Sequence, residues 1–214
     1  MIVFIKCAII AVSIKFRKSE NMTKRADQAI STKRKLLYTA YQIIREDGYP
    51  ALTIRKLCQK SGVSTGAFYH HYTSKEDLIT QGFMSYDEEL KEELEHSTEA
   101  DPLKMILHII LSLTRYVFDN GSGFAKELYI SQLSIENNYI TKKERPYYQA
   151  VLSYVKQAQK EERLDASADA EEVTEHLLRI GRGTILDWCL HDYGYDLMKQ
   201  AESDLRLTLS LFAK

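Results

Sequence analysis

The stretch from Thr53 to Leu78, TIRKLCQKSGVSTGAFYHHYTSKEDL, limits the possible folds more than any other part of this chain, because its punctuation sets short helices at sharp angles. Thr53 is a good N-cap, and Ile54, Leu57 and Cys58 then share one face of a short helix. Gly62 breaks that helix. Val63 follows as a core plug and Ser64 as a second N-cap, after which Ala67 and Phe68 turn inward and leave Thr65, Gly66, Tyr69 and His70 on the outer face. That face has small residues, two hydrogen-bonding rings and no carboxylate, so a helix carrying it can approach an anionic groove closely. Ser74 and Asp77 form a variant capping box for the next helix. The pattern is a helix-turn-helix at about residues 53–72.

The run from Gly62 to Leu78, GVSTGAFYHHYTSKEDL, resembles the signature of the tetracycline-repressor (TetR) family, and the similarity extends upstream to Thr32, through Asp47-Gly48-Tyr49. Beyond about residue 80 only helix content and length resemble that family. The resemblance implies a homodimeric transcription regulator, usually a repressor released by a small ligand. It also implies a dimer-forming four-helix bundle built from the last two helices, about residues 169–213. For single residues it favours a phosphate or base contact for His70, a packing role for His71 and a phosphate contact for Lys75. One departure stands out, since some thirty residues precede the first helix expected here.

Charge is divided along the chain in a way that its formal net value of -1 conceals. From Met22 to Lys75 there are ten Lys or Arg against three acids, whereas from Glu76 onward 15 basic residues face 26 acidic ones. A basic head on an acidic body suits a protein that sets one end on phosphate and keeps the other away. The three cysteines, Cys7, Cys58 and Cys189, are widely spaced and odd in number, which suggests neither a disulfide framework nor a metal site. A reducing cytoplasm is the expected compartment.

Residues 1–21 form an apolar run interrupted by Lys6, too short to span a bilayer and without the order of parts of a secretory signal. The expectation is that the functional protein starts at Met22, with a membrane-surface anchor or an extra ordered segment as alternatives. Met22 to Ile30 reads as a polar, basic arm, and the first helix as Thr32 to Glu46, with Leu36, Leu37, Ala40, Tyr41, Ile43 and Ile44 at helical spacing. Gly48 and Pro50 end it. A long helix from Lys75 to about His96 then connects head to body. Further helices are expected from Asp101-Pro102 to Asp119, Phe124 to Ile135, Pro146 to Glu162, Asp169 to about His191 and Asp196 to Phe212, with Asn137-Asn138 in a loop. No strand pattern occurs, so the class is all-α, with a head at 22–78 and a regulatory and dimerisation domain at 79–214.

Adjacent histidines on a helix point about 100° apart, so His70-His71 lacks the geometry of a metal site, and no nucleophile–base arrangement suggests an enzyme. No metal or cofactor is expected. Thr53, Ser64, Thr65, Gly66, Tyr69, His70 and Lys75 are the expected DNA-binding residues, Thr53 both as a cap and through the N–H groups of its helix. In the body, Phe118, Tyr129 and Trp188 are candidates for the wall of a ligand cavity, weighed against ordinary core packing. Gly181 and Gly183 inside a helix suggest close helix contact. The expected partners are a double-stranded DNA operator, a small, partly hydrophobic effector and a second copy of the chain, with no stable membrane association. A ligand-independent or activating regulator shares every head residue, and a membrane-tethered one would use residues 1–21.

Overall fold

The structure, a computed structural model, describes residues 24–134, 136 and 138–214. The expectations for residues 1–21, for Met22 as a start and for Asn137 lie outside the described residues. Nine α-helices occur among the described residues: α1 (Lys24–Asp47), α2 (Ile54–Ser61), α3 (Thr65–His71), α4 (Lys75–Glu95), α5 (Pro102–Asp119), α6 (Ser122–Leu133), α7 (Pro146–Lys160), α8 (Ala170–Leu190) and α9 (Leu197–Leu211). Short 3-10 turns lie at Tyr49–Ala51 and Tyr139–Thr141. No strand occurs among the described residues, where Leu164 and Ala213 make a lone bridge. The chain is all-α.

Helix α1 starts at Lys24, so a helix stands where the sequence suggested an arm before Thr32. The physical reason is local. Ala26, Gln28 and Ala29 favour helix, and the hydroxyl of Thr32, the residue at which the sequence pattern begins the helix, donates at 2.8 Å to the Gln28 carbonyl one turn back. Leu36, Ala40, Ile43 and Ile44 form the buried stripe of α1. At its end, Gly48 takes a left-handed φ of 82° that a side chain would strain, and Pro50 follows in the 3-10 turn.

The contacts divide the chain into two units. Of the described residues, one unit contains those up to Gly82 together with 119–134, and the other contains 83–118, 136 and 138–214. Helix α6 therefore belongs with the head helices, and Gly82 and Phe83 are consecutive residues of α4. In the first unit α6 is seated on α1 by Phe124, whose ring meets Tyr41 edge-on at 5.1 Å. A Cβ at Gly82 would force the Tyr41 hydroxyl to move, so the glycine lets α4 pass close to that ring.

The second unit is built around Leu90, Ile106, Ile109, Ile110, Val151, Val155, Leu177 and Leu205, drawn from five helices. Asp101 caps α5 by accepting from the Leu103 N–H at 2.9 Å, and Asp169 caps α8 by accepting from the N–H groups of Glu171 and Glu172. The two helix glycines differ. A Cβ on Gly181 would meet Ile110 at 2.8 Å, so close helix contact within the chain accounts for it, whereas a Cβ on Gly183 would meet nothing of this chain within 4 Å. Among the described residues no helix is long and apolar enough to cross a membrane.

Candidate nucleic-acid interface

Three local devices present α3. The Thr53 hydroxyl accepts from the Lys56 N–H at 3.1 Å, Gly62 ends α2 in the left-handed conformation at φ 65°, and Ser64 accepts from the Ala67 N–H at 3.1 Å. Phe68, fully buried, anchors α3 and packs at a tilt against Tyr72, itself buried with its hydroxyl donating to the Lys33 carbonyl. Burial, with the nearby Asp77 charge, raises the Tyr72 phenol above its ordinary range and keeps it a donor.

The outer face of α3 is open. Thr65, Gly66, Tyr69 and His70 are all exposed, Tyr69 at 56% despite its edge-on contact with Phe68. A Cβ added to Gly66 would meet nothing within 4 Å, so packing does not require a glycine there. What it leaves is room for a close approach from outside. His71 is half-buried, and burial, with the charges of His70 and Lys33, lowers its pKa and favours the neutral ring.

The surrounding cations are not equivalent. Lys56 pairs with Asp47 at 3.0 Å and Lys60 pairs with Glu46, so the acids ending α1 absorb two lysines of α2. Lys75 opens α4 without a salt bridge among the described residues, and its Nζ lies 4.3 Å from the centroid of the Tyr49 ring. Tyr49 is in turn held at three points: its hydroxyl donates to Glu76 at 3.0 Å, its backbone N–H donates to Glu127 of α6 at 2.7 Å, and its ring carries Lys75. Burial, the Glu76 bond and the Glu76 charge push the Tyr49 phenol above its ordinary range. Burial alone would raise the Glu76 carboxyl, but bonds from its own backbone, Ser74 and Tyr49, together with the Lys75 charge, hold it below the usual value. Sequence reasoning misses both Tyr49 and Glu127 as parts of this site. Tyr49 stands in the sequence only as part of a helix-ending motif, and Glu127 acts 78 residues away, where no spacing rule reaches.

In the second unit, Phe118 and Trp188 come together with ring centroids 6.0 Å apart, while Tyr129 belongs to the first unit. The Trp188 N–H is used by the Tyr195 carbonyl at 2.9 Å, and its ring also meets Tyr193 edge-on. Grooves open in this unit. One, of about 480 Å³, runs between α4 and α7 over Leu90, Leu94, Pro146, Ala150 and Tyr154. Another, of about 510 Å³, follows α8 and α9 past Ile180, Thr184, Asp187, His191, Asp204 and Leu207. Neither is lined by Phe118, Tyr129 or Trp188. Among the described residues no group of three or more His, Cys, Asp or Glu is placed to hold a metal ion.

A further feature gives no sequence signal. Arg145 is 2% exposed and donates through Nε and an Nη to both oxygens of Asp87, at 2.8 and 2.7 Å, while Tyr139 donates to the same carboxylate at 2.8 Å. The guanidinium carbon also lies 4.9 and 5.3 Å from the ring centroids of Tyr147 and Tyr139. Burial alone would lower the Arg145 pKa, but the Asp87 bonds and charge outweigh it and hold the guanidinium charged.

Capped short helices with an exposed, carboxylate-free second helix, joined to an all-α body, define a helix-turn-helix DNA-binding regulator. Residues 36–81 match the family model for bacterial regulatory proteins of the tetR family. It is similar to the fatty acid metabolism regulator protein of Bacillus subtilis, at 23% identity over 189 residues that cover 82% of this chain and 92% of that protein. Its fold is similar to that of a TetR transcription regulator from Haloarcula marismortui, with a TM-score of 0.68 and 19% identity over 86% of this chain and 100% of that one. It is also similar in fold to the regulator FadR of Bacillus subtilis in complex with stearoyl-CoA, with a TM-score of 0.66 and 18% identity over 82% of this chain and 97% of that one.

Proposed function

We propose that the chain is a homodimeric repressor that leaves its operator when a small, partly hydrophobic molecule occupies its body. The observation that carries the DNA half of this reading is the outer face of α3, exposed along Thr65, Gly66, Tyr69 and His70 and free of carboxylates. Thr65 reads base edges, Tyr69 and Lys75 grip phosphate, and the capped starts of α2 and α3 at Thr53 and Ser64 offer N–H donors to the backbone. Support for a second copy comes from α8 and α9, which leave Leu190, Leu207 and Leu211 between 66% and 73% exposed. Apolar side chains exposed to that degree on neighbouring helices suit an interface.

The effector class is supported by apolar walls in the α4–α7 groove and by the stearoyl-CoA complex of the similar Bacillus subtilis regulator. A long-chain acyl thioester is therefore the first effector to test. By linkage it must bind the DNA-free form more tightly, and a hundredfold preference corresponds to about 2.7 kcal/mol. The experiment is to titrate stearoyl-CoA into the chain bound to a duplex selected from a random library, following fluorescence anisotropy. Release of the duplex is expected. Binding that no acyl thioester reverses would replace this effector class with a ligand-independent regulator or one of different ligand, and equal affinity for selected and unselected DNA would overturn the repressor reading.

A further inference from the structure

We propose that Tyr49 is a positioning residue for DNA binding, its ring holding the Lys75 ammonium in place for a backbone phosphate. This rests on the reading of Lys75 as a phosphate-gripping cation. A lysine on a flexible four-carbon stem normally loses side-chain freedom when it binds, and a surface carboxylate that prevented this would also cancel the charge that phosphate requires. Lys56 and Lys60 are held in that self-cancelling way. Lys75 is held by a π-face instead, with its Nζ 4.3 Å from the Tyr49 centroid, which restrains the ammonium without a direct ion pair among the described residues.

The ring is well suited to the task. It is 5% exposed, so it cannot swing away, and its hydroxyl donates to the Glu76 carboxylate, which enriches the ring in electron density. Its backbone N–H is fixed by Glu127 at 2.7 Å, so α6 grips the turn that carries the ring. Gly48 before it lies under the same carboxylate, 3.5 Å from where a Cβ would stand.

The test uses the full chain and a short random-sequence duplex, since attraction to the phosphate backbone does not depend on sequence. Two chains are compared, one with Tyr49→Phe and one with trifluorophenylalanine in place of Tyr49. Both rings fill nearly the same space and lack the hydroxyl, but fluorine drains the π-face. The fluorinated chain is expected to bind about two- to fivefold more weakly, the size of an exposed cation–π contact. That difference should vanish when both chains also carry Lys75→Met. Lys75→Met alone should make the dependence of log affinity on log salt shallower by roughly 0.9 for each phosphate that is no longer neutralised.

Equal binding by the two aromatic chains would overturn the proposal, as would a difference that persists without Lys75. A lower thermal midpoint for the fluorinated chain would reassign the effect to packing and overturn it as well. If Lys75→Met left the salt slope unchanged, Lys75 would touch no phosphate, and the underlying reading would fail with the proposal.

Discussion

The two units keep their cations in opposite ways. In the first, Lys75 rests on an aromatic face with no salt bridge among the described residues. In the second, Arg145 is buried, with both Asp87 oxygens on its guanidinium and the rings of Tyr139 and Tyr147 close by. A buried pair loses hydration on both partners, and its attraction about offsets that loss, so such a pair adds geometric definition more than stability. An ammonium at the surface keeps its charge for a partner outside the molecule. On the proposed reading Lys75 is completed by phosphate, whereas Arg145 is already satisfied by groups of its own unit.

The largest effect expected from this contrast is in the second unit. Asp87→Ala or Arg145→Ala leaves a charge buried without its partner and should destabilise that unit by about 3–5 kcal/mol, while Asp87→Leu with Arg145→Met should recover most of the loss. Trp188 is the only tryptophan of the chain and lies in the same unit, so its fluorescence in a urea titration reads the effect locally. A loss below about 1 kcal/mol for Arg145→Ala would remove the distinction, because that is what a surface pair is worth.

A middle-sized effect bears on the packing of the second unit. Gly181→Ala forces a Cβ to within 2.8 Å of Ile110. Overpacking of that kind costs about 1–3 kcal/mol. Gly183→Ala meets open space. It should gain up to about 1 kcal/mol from helix propensity. The same urea titration checks both, and equal effects would mean that α8 does not approach α5 as closely as the structure has it.

The smallest effects belong to the first unit. Thr53→Ala and Ser64→Ala each remove one cap bond and should cost about 1 kcal/mol. Amide hydrogen exchange in α2 and α3 reads that loss without relying on Trp188. Protection unchanged by both substitutions would show that the caps do not hold the two helices.

Why these caps are legible in the sequence while the anchors of the site are not is a matter of reach. Thr53, Ser64, Asp101 and Asp169 each act on a backbone N–H two or three residues away, so spacing alone reveals them. The all-α class and the buried stripe of α1 follow from 3.6-residue periodicity in the same way. Thr32 misleads because a hydroxyl at a helix start and one bonded back within a helix look alike in sequence. Glu127 on Tyr49 and Arg145 on Asp87 close over 78 and 58 residues, distances at which only the folded chain brings the groups together. The first of these bonds joins the Phe124–Tyr41 contact in fastening α6 to the head unit, and neither has a local pattern to announce it.

The proposed repressor reads DNA with two heads together, and selection from a random duplex library puts that to the test without any other assumption. A dimer with two recognition helices about 34 Å apart must enrich an inverted pair of half-sites whose centres are one helical turn, or a whole number of turns, apart. The native chain is expected to enrich that pair, and the chain with Tyr69→Ala and Lys75→Ala is expected to lose it. Enrichment of a single half-site, or of no sequence at all, would contradict a two-headed reader.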